Sequence, residues 1–294
     1  MSATTAISWS DSTWSPWEGC TRVSIATTGG GGCDNCYAER MNRWLRRGEN
    51  WGPGAPRREY SEAHWAKPVR WSAEAARTGT RRSVFPSVCD PFDNEVDEER
   101  RMRFFRLIAD TPHLTWLLLT KRIGNALKMV DAGMWEHLPH VRLGATIVNR
   151  DEMLRDGPKL KAVPAALAFW SYEPALGPLG KIPRELLPDW VIAGGESGPH
   201  ARPAHPDWFR SLRDQCAAAG VPFHFKQWGE FLPASADEAD PTLPDVPESR
   251  IFWSDGSKWD RFDGQRGGVD MVAKVGTAAA GRLLDGVEHN GFPA

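Results

Sequence analysis

Residues 114–122 read LTWLLLTKR. The first seven positions carry no charge and centre on Trp116 and three leucines, and the run stops abruptly at Lys121 and Arg122. A short uncharged run of this kind suits a strand covered on both faces, as the strands of a parallel sheet are. The pattern recurs in SVFPSV (83–88), VRLGATI (141–147), AALAFWS (165–171), DWVIAGG (189–195) and VPFHFKQ (221–227). Helical patterns separate several of these runs. DEERRMRFFRLIADT (97–111) sets Phe104, Leu107 and Ile108 on one face, while NRDEMLRDGPKL (149–160) and PDWFRSLRDQCAAAG (206–220) open on Asn or Pro-Asp cap signals. Strand and helix alternating at this rhythm predict βα units and a parallel sheet. An earlier strand within AISWSDSTWSPWEG (6–19) brings the expected number to seven. The fold expected is therefore α/β, a parallel (βα) partial or complete TIM-like barrel over residues 1–230.

Each apolar run ends in polar residues: CDPFDNE, TKR, VNRDE, YEP, GESG and KQWGE. In a parallel barrel these endings collect on one face, where the chemistry of such folds is found. Residues 46–82, rich in Arg, Trp, Gly and Pro, read as an insertion covering one edge. Residues 231–294 read as an extension packed on the barrel: an acidic, Pro-rich excursion (232–250), a hairpin with an SDG turn in RIFWSDGSKWDRFDG (250–264), and a small helix in VAKVGTAAAGRLLDG (272–286) ending at Gly286.

The chain has 294 residues, a net charge of -2 and a pI near 6.5, so no global basic field announces a nucleic-acid partner. No run approaches the length of a membrane span, and MSATTAISWSDSTW lacks the basic and apolar regions of a secretory signal. A cytoplasmic protein is expected. Five cysteines, an odd number in a chain too large to need disulfide staples, favour thiols serving a metal or catalysis.

Three of those cysteines, Cys20, Cys33 and Cys36, fall within GCTRVSIATTGGGGCDNCYAE (19–39). Structural zinc takes four ligands, whereas three thiolates on a 4Fe-4S cluster leave one iron open, and a redox dithiol leaves Cys20 without a part. Twelve residues separate Cys20 from Cys33. Closing that loop instead of a three-residue one costs about 1.2 kcal/mol, small beside the order of 10 kcal/mol that strong multidentate metal binding releases. The readings that stand are a 4Fe-4S cluster, zinc with a fourth ligand from Cys89 or a histidine, and no metal. Cys216, on a helix, reads as a packed core thiol.

The GC pair followed by CDNCYAER resembles the signature of the radical S-adenosylmethionine (SAM) superfamily, in particular the branch containing spore photoproduct lyase. TWSPWEGC, CDNCYAERM, LLLTKR, YEPALGPL, WVIAGGESGPHARP, VPFHFKQWGEF and GRLLDG resemble a phage- and bacterium-borne three-cysteine-motif family over nearly the whole chain. Asn35 stands where an aromatic residue usually precedes the last cysteine, and Tyr37 follows it as in the superfamily. The resemblance implies a 4Fe-4S cluster on Cys20, Cys33 and Cys36, SAM on the open iron, and a 5'-deoxyadenosyl radical that takes a hydrogen atom from a substrate. It also implies an external electron donor and, from the phage connection, a nucleobase or nucleic-acid substrate. The alternative from another class is a non-catalytic zinc or Fe-S nucleic-acid-binding module.

Tyr37, Glu173 and the Gly194-Gly195-Glu196 turn are the expected cofactor contacts. In SAM enzymes a Gly-Gly-Glu turn meets the methionine amine, and here backbone N-H groups after a strand also suit an anion. Lys121, Arg122, Lys226 and Gln227, each closing an apolar run, are the expected contacts to a substrate carboxylate or phosphate. Asp90 and Asp93 suit either a ribose or the cap of the next helix. Trp14, Trp17, Trp170 and Trp228, among fifteen tryptophans, suit either stacking on a base or the core. No catalytic residue is assigned.

Overall fold

The computed structural model describes residues 4–23, 30–234, 250–253, 259–261 and 271–293. Seven strands form one sheet: β1 (Ser12–Thr13), β2 (Arg82–Phe85), β3 (Leu114–Thr120), β4 (Val141–Thr146), β5 (Leu167–Tyr172), β6 (Trp190–Gly194) and β7 (Phe223–Gln227). They follow one another in sequence order, each parallel pairing requiring a crossover that returns the chain to the same end. This is an α/β fold of partial, TIM-like type. The run LTWLLLT (114–120) is β3 in full, and six of its seven residues are buried. Among the described residues no helix is long and apolar enough to cross a membrane.

The chain divides into two compact units. The first comprises Met1–Ser24, Cys36–Thr146 and Arg155–Ser171. It holds the helices α1 (Tyr37–Arg46), α2 (Glu62–Thr78), α3 (Glu98–Ala109), α4 (Ala126–Met129) and α5 (Ala132–Glu136). Asp97 caps α3 by accepting from the backbone N of Arg100 at 2.7 Å. Phe104 then meets Trp116 and Trp14 with ring centroids 5.5 and 6.0 Å away. Trp14 and Trp17 are wholly buried, and so belong to this core. On β4, Gly144 pairs with Phe169 of β5, and a Cβ there would lie 2.3 Å from the Phe169 ring. The strand carries glycine because an aromatic side chain occupies the space.

Residues 46–82 are not an insertion. They contain α2, the helical connection between β1 and β2. Pro68 inside α2 hides the helix from sequence reading, because proline removes the N-H that should bond to the carbonyl of His64. The indole of Trp14 donates to that carbonyl at 3.0 Å, so the orphaned acceptor is satisfied from outside the helix.

The second unit comprises Ile25–Asn35, Ile147–Leu154 and Tyr172–Ala294. The helix α6 (Arg150–Lys161) straddles the division, and α7 (Pro206–Ala219) lies wholly within this unit. His205 caps α7 through Nδ1, Pro206 occupies its first turn, and Gly220 closes it in the left-handed region. Phe209 and Cys216 of α7 are buried, the former against Phe225 and Trp228 at 5.0 and 5.3 Å. Trp228 is buried too, as is Trp170 in the first unit. The edge of β7 is covered by the C-terminal segment: the backbone N of Phe225 donates to His289 O, and that of Gly291 to Phe223 O, both at 2.9 Å.

A second sheet has the order β10-β9-β11-β8, from β8 (Phe231–Ala234), β9 (Arg250–Trp253), β10 (Trp259–Arg261) and β11 (Met271–Lys274). Antiparallel β9 and β10 match the expected hairpin strands, while its SDG turn and the acidic residues 235–249 lie outside the described residues. The expected terminal helix is shorter than its pattern. Its first residues belong to β11, and helix α8 is confined to Thr277–Ala280.

Candidate functional site

The first unit builds a polar cluster around Cys20. Gly19 donates from its backbone N to Val88 O at 3.0 Å and bridges to Cys89, so the GC pair lies alongside the segment leaving β2. Gly19 has φ +126°, and a Cβ on it would stand 2.2 Å from Asn50 O. Only glycine passes there. On its other side Cys20 bridges to Trp51, and Gly52 donates to Cys20 O at 2.9 Å.

Two arginines grip the segment. Arg122 donates from Nη1 to Cys20 Sγ at 3.4 Å and to Asp90 Oδ2 at 3.1 Å, and from Nη2 to Thr21 O. Arg57 donates from Nη2 to Thr21 Oγ1 and from Nε to Asp93 Oδ2, both at 2.7 Å. Asp90 and Asp93 are therefore committed inward, and Asp90 also accepts from Thr120 Oγ1 and the backbone N of Lys121. The following helix is capped by Asp97 instead. Burial pushes the Cys20 thiol up to about 12, Asp90 adds to the shift, and Arg122 opposes it. Burial likewise pushes the half-buried Cys89 well up, with Asp90 next and the Ser15 hydrogen bond acting in the opposite direction. Nearby, burial works to raise the Glu18 carboxyl. Hydrogen bonds from Asn42, Arg58 and Tyr60 outweigh it and hold the group below its usual range.

Cys36 occupies the N-cap position of α1 without a side-chain cap bond, and the Tyr37 hydroxyl donates to Ser87 O. Cys33 belongs to the second unit. None of the five cysteines forms a disulfide among the described residues; Cys20, Cys33, Cys36 and Cys89 are half-buried and Cys216 is buried. Among the described residues no three His, Cys, Asp or Glu side chains are gathered as a metal ion would hold them. The donor chemistry nevertheless fits a thiolate-bound group. A thiol kept neutral by burial ionises when a cation takes the sulfur, and a guanidinium aimed at Sγ is the hydrogen bonding that tunes ligated sulfur.

The second unit gathers the other predicted residues at the ends of β6 and β7. Gly194 pairs with Gln227, and Gly195 donates to Gln227 O at 3.0 Å. A Cβ on Gly194 would lie 2.7 Å from Glu173 Oε1, and one on Gly195 would lie 1.9 Å from Trp228 O. Glu173 pairs with Lys226 at 3.0 Å. Glu196, buried, accepts from Arg202 at Nη2 (2.6 Å), Nε (2.9 Å) and the backbone N (2.8 Å), and from Asn35 Nδ2 (3.0 Å). Asn35 also donates to His200 O at 2.8 Å, and Arg202 reaches Asp34 Oδ2 and Gly31 O. The Gly-Gly-Glu turn thus anchors the residues of the CxxC loop.

Lys121, Arg122 and Cys20 thus meet in one unit, and Glu173, Gly194, Gly195, Glu196, Lys226 and Gln227 in the other. Sequence reading missed Arg57, Asn35 and Arg202 as partners. Arg202 had one signal, its place in the HARP segment shortly after the GGESG turn; Arg57 had none.

Fold and site define an α/β partial-barrel protein with a three-cysteine loop. Residues 4–293 match the model of the family described as protein of unknown function DUF5131, and the chain belongs to that family. No curated protein matches it. Among solved structures, a doubly substituted mutant of spore photoproduct lyase with bound AdoMet and dinucleoside spore photoproduct is similar at 12% identity and TM-score 0.42, over 89% of this chain and 68% of that one. A singly substituted mutant is similar at 11% identity and TM-score 0.39, over 88% of this chain and 66% of that one.

Proposed function

We propose that the protein is a 4Fe-4S enzyme of radical SAM type, with Cys20, Cys33 and Cys36 as the cluster ligands. The observation that carries this reading is Arg122. Its nearly buried guanidinium donates to Cys20 Sγ, so the first cysteine of the motif already faces a cationic donor that opposes the burial and the Asp90 charge keeping its thiol neutral, and that would hydrogen-bond the sulfur once a cation has taken it. Held by Cys20, Cys33 and Cys36, such a cluster would supply one-electron reduction of SAM by an external donor, the chemistry that allows a hydrogen atom to be taken from a substrate.

The chain's own residues position and shield. Arg57 and Arg122 hold the Cys20–Thr21 segment, and Glu196 with Asn35 holds the other end of the loop. Arg122 serves the Cys20 sulfur more directly than a substrate, because three of its five N-H donors are given to Cys20, Asp90 and Thr21. Tyr37, Glu173 and the Gly194-Gly195 backbone remain the candidates for SAM, with Glu196 acting through its grip on Asn35. Lys121, Lys226 and Gln227 remain the candidates for a nucleobase or nucleic-acid substrate, Lys226 by exchanging its Glu173 partner for an anion.

Anaerobic reconstitution with iron and sulfide tests the reading. A brown protein with about four iron atoms per chain that releases 5'-deoxyadenosine from SAM under dithionite is expected, as is loss of iron on replacing Cys20, Cys33 or Cys36 by alanine. A colourless protein binding one zinc, indifferent to Cys20→Ala, overturns it in favour of a non-catalytic module.

A further inference from the structure

Helix α1, which follows Cys36 directly, is built inside out. Its buried residues are Ala38, Glu39 and Asn42. Glu39 pairs with Arg22 and Arg43 at 2.7 Å each, and Asn42 bonds to Glu18 and Asn50. The large apolar residues point the other way: Tyr37, Met41 and Leu45 are exposed, and Trp44 is 83% exposed, the most of any described large apolar residue. A helix whose polar side is buried and whose apolar side meets water is the reverse of the usual arrangement, and such a face marks contact with something outside the chain.

What it contacts follows from charge. With about 3.6 residues per turn, Tyr37, Met41, Trp44 and Leu45 fall in an arc of roughly 100°, and Arg40 and Arg43 in the adjoining roughly 60°, with Arg47 following them as the left-handed C-cap of the helix. The two rows run side by side along the axis, Arg40 and Arg43 rising by about 4.5 Å from one to the next, and Arg47 stands at the C-terminal end of the helix. The side chains of Arg40, Arg46 and Arg47 make no ion pair among the described residues, and the helix's one acid is the buried Glu39. The outer surface is therefore cationic along one edge and carries exposed rings along the other. A single nucleic-acid strand has the complementary form, phosphates on one edge and base faces on the other. A bilayer would want cations on both flanks of the apolar stripe.

We infer that α1 docks a single nucleic-acid strand, Trp44 stacking on a base and Arg40, Arg43 and Arg47 meeting successive phosphates. This rests on the nucleic-acid substrate reading of the proposed function and deepens it, placing the strand on the helix that begins beside a cluster thiol.

The test uses the full-length, metal-free chain and a fluorescein-labelled single-stranded DNA 12-mer, with binding read by anisotropy across a salt series. Wild type is expected to bind, and Trp44→Ala to weaken binding by about ten-fold, the scale of one stacked base. Arg40→Gln with Arg47→Gln should flatten the slope of log K against log salt by about 1.4. Unchanged melting temperatures will show that these exposed substitutions leave the fold intact. Equal binding by wild type and variants overturns the inference, as does wild-type binding to phosphatidylserine-containing vesicles or to an acidic protein without binding to the 12-mer. SAM cleavage by the reconstituted wild type without DNA is scored separately. An inactive protein that binds strands through α1 refutes the enzyme and keeps this inference, whereas an active one indifferent to the α1 variants does the reverse.

Discussion

Replacing Arg57 by methionine keeps an unbranched stem and removes the guanidinium with its charge and its donors. In the native protein Arg57 and Asp93 lie 2.7 Å apart with side chains 1% and 0% exposed. Arg57 also donates to Ala55 O at 2.7 Å, Gly52 O at 3.3 Å and Thr21 Oγ1 at 2.7 Å. Methionine leaves the Asp93 carboxylate in place with the backbone N of Glu95, at 3.2 Å, still donating to it. Removing one partner of a buried pair costs about 3–5 kcal/mol, because the remaining charge keeps its desolvation penalty and loses its compensation. With a urea slope of about 3 kcal/mol/M, the unfolding midpoint should fall by about 1–2 M. Tryptophan fluorescence will follow it, with Asp93→Asn as the second arm. If the charge on Asp93 is the cause, the double variant should be more stable than Arg57→Met alone by about 2 kcal/mol or more. A single-variant loss under about 1 kcal/mol with no coupling to Asp93 would refute the reasoning.

Gly195→Ala should destabilise by about 2–3 kcal/mol, since the new Cβ meets a backbone carbonyl that cannot swing aside; an unchanged urea midpoint argues against it. Arg202→Met strands the buried Glu196 and should cost about 2–4 kcal/mol, discounted because Arg202 is 18% exposed, with partial recovery in the Glu196→Gln background. Burial, then Arg282 and Lys226, lower the His224 pKa from 6.5 to about 4. The unfolded chain therefore binds the extra proton first, and stability is full above about pH 6.5 and falls as pH drops towards 4, by at most about 3 kcal/mol. Urea titrations between pH 4 and 7 should show a flatter profile for His224→Phe, and identical profiles would count against the assignment.

The strands were legible in the sequence because a parallel sheet buries both faces, so its members announce themselves as uncharged runs whatever their neighbours are. LTWLLLT became β3 to the residue, and helices α3, α6 and α7 lie where their periodicity and caps put them. Helix α2 stayed hidden because the bond that excuses Pro68 comes from Trp14, fifty-four positions away. The same distinction separates the two kinds of site knowledge. That Cys20, Cys33 and Cys36 form a motif is a matter of residue type and spacing, which the chain carries by itself. That Arg122 faces Cys20 Sγ, that Asn35 is held by Glu196, and that the apolar side of α1 looks outward are matters of which side chains meet across long stretches of chain. A local pattern determines which face of a helix is apolar. Only the packing around it, here a buried Glu39 and Asn42 with partners waiting, decides which face is turned inward.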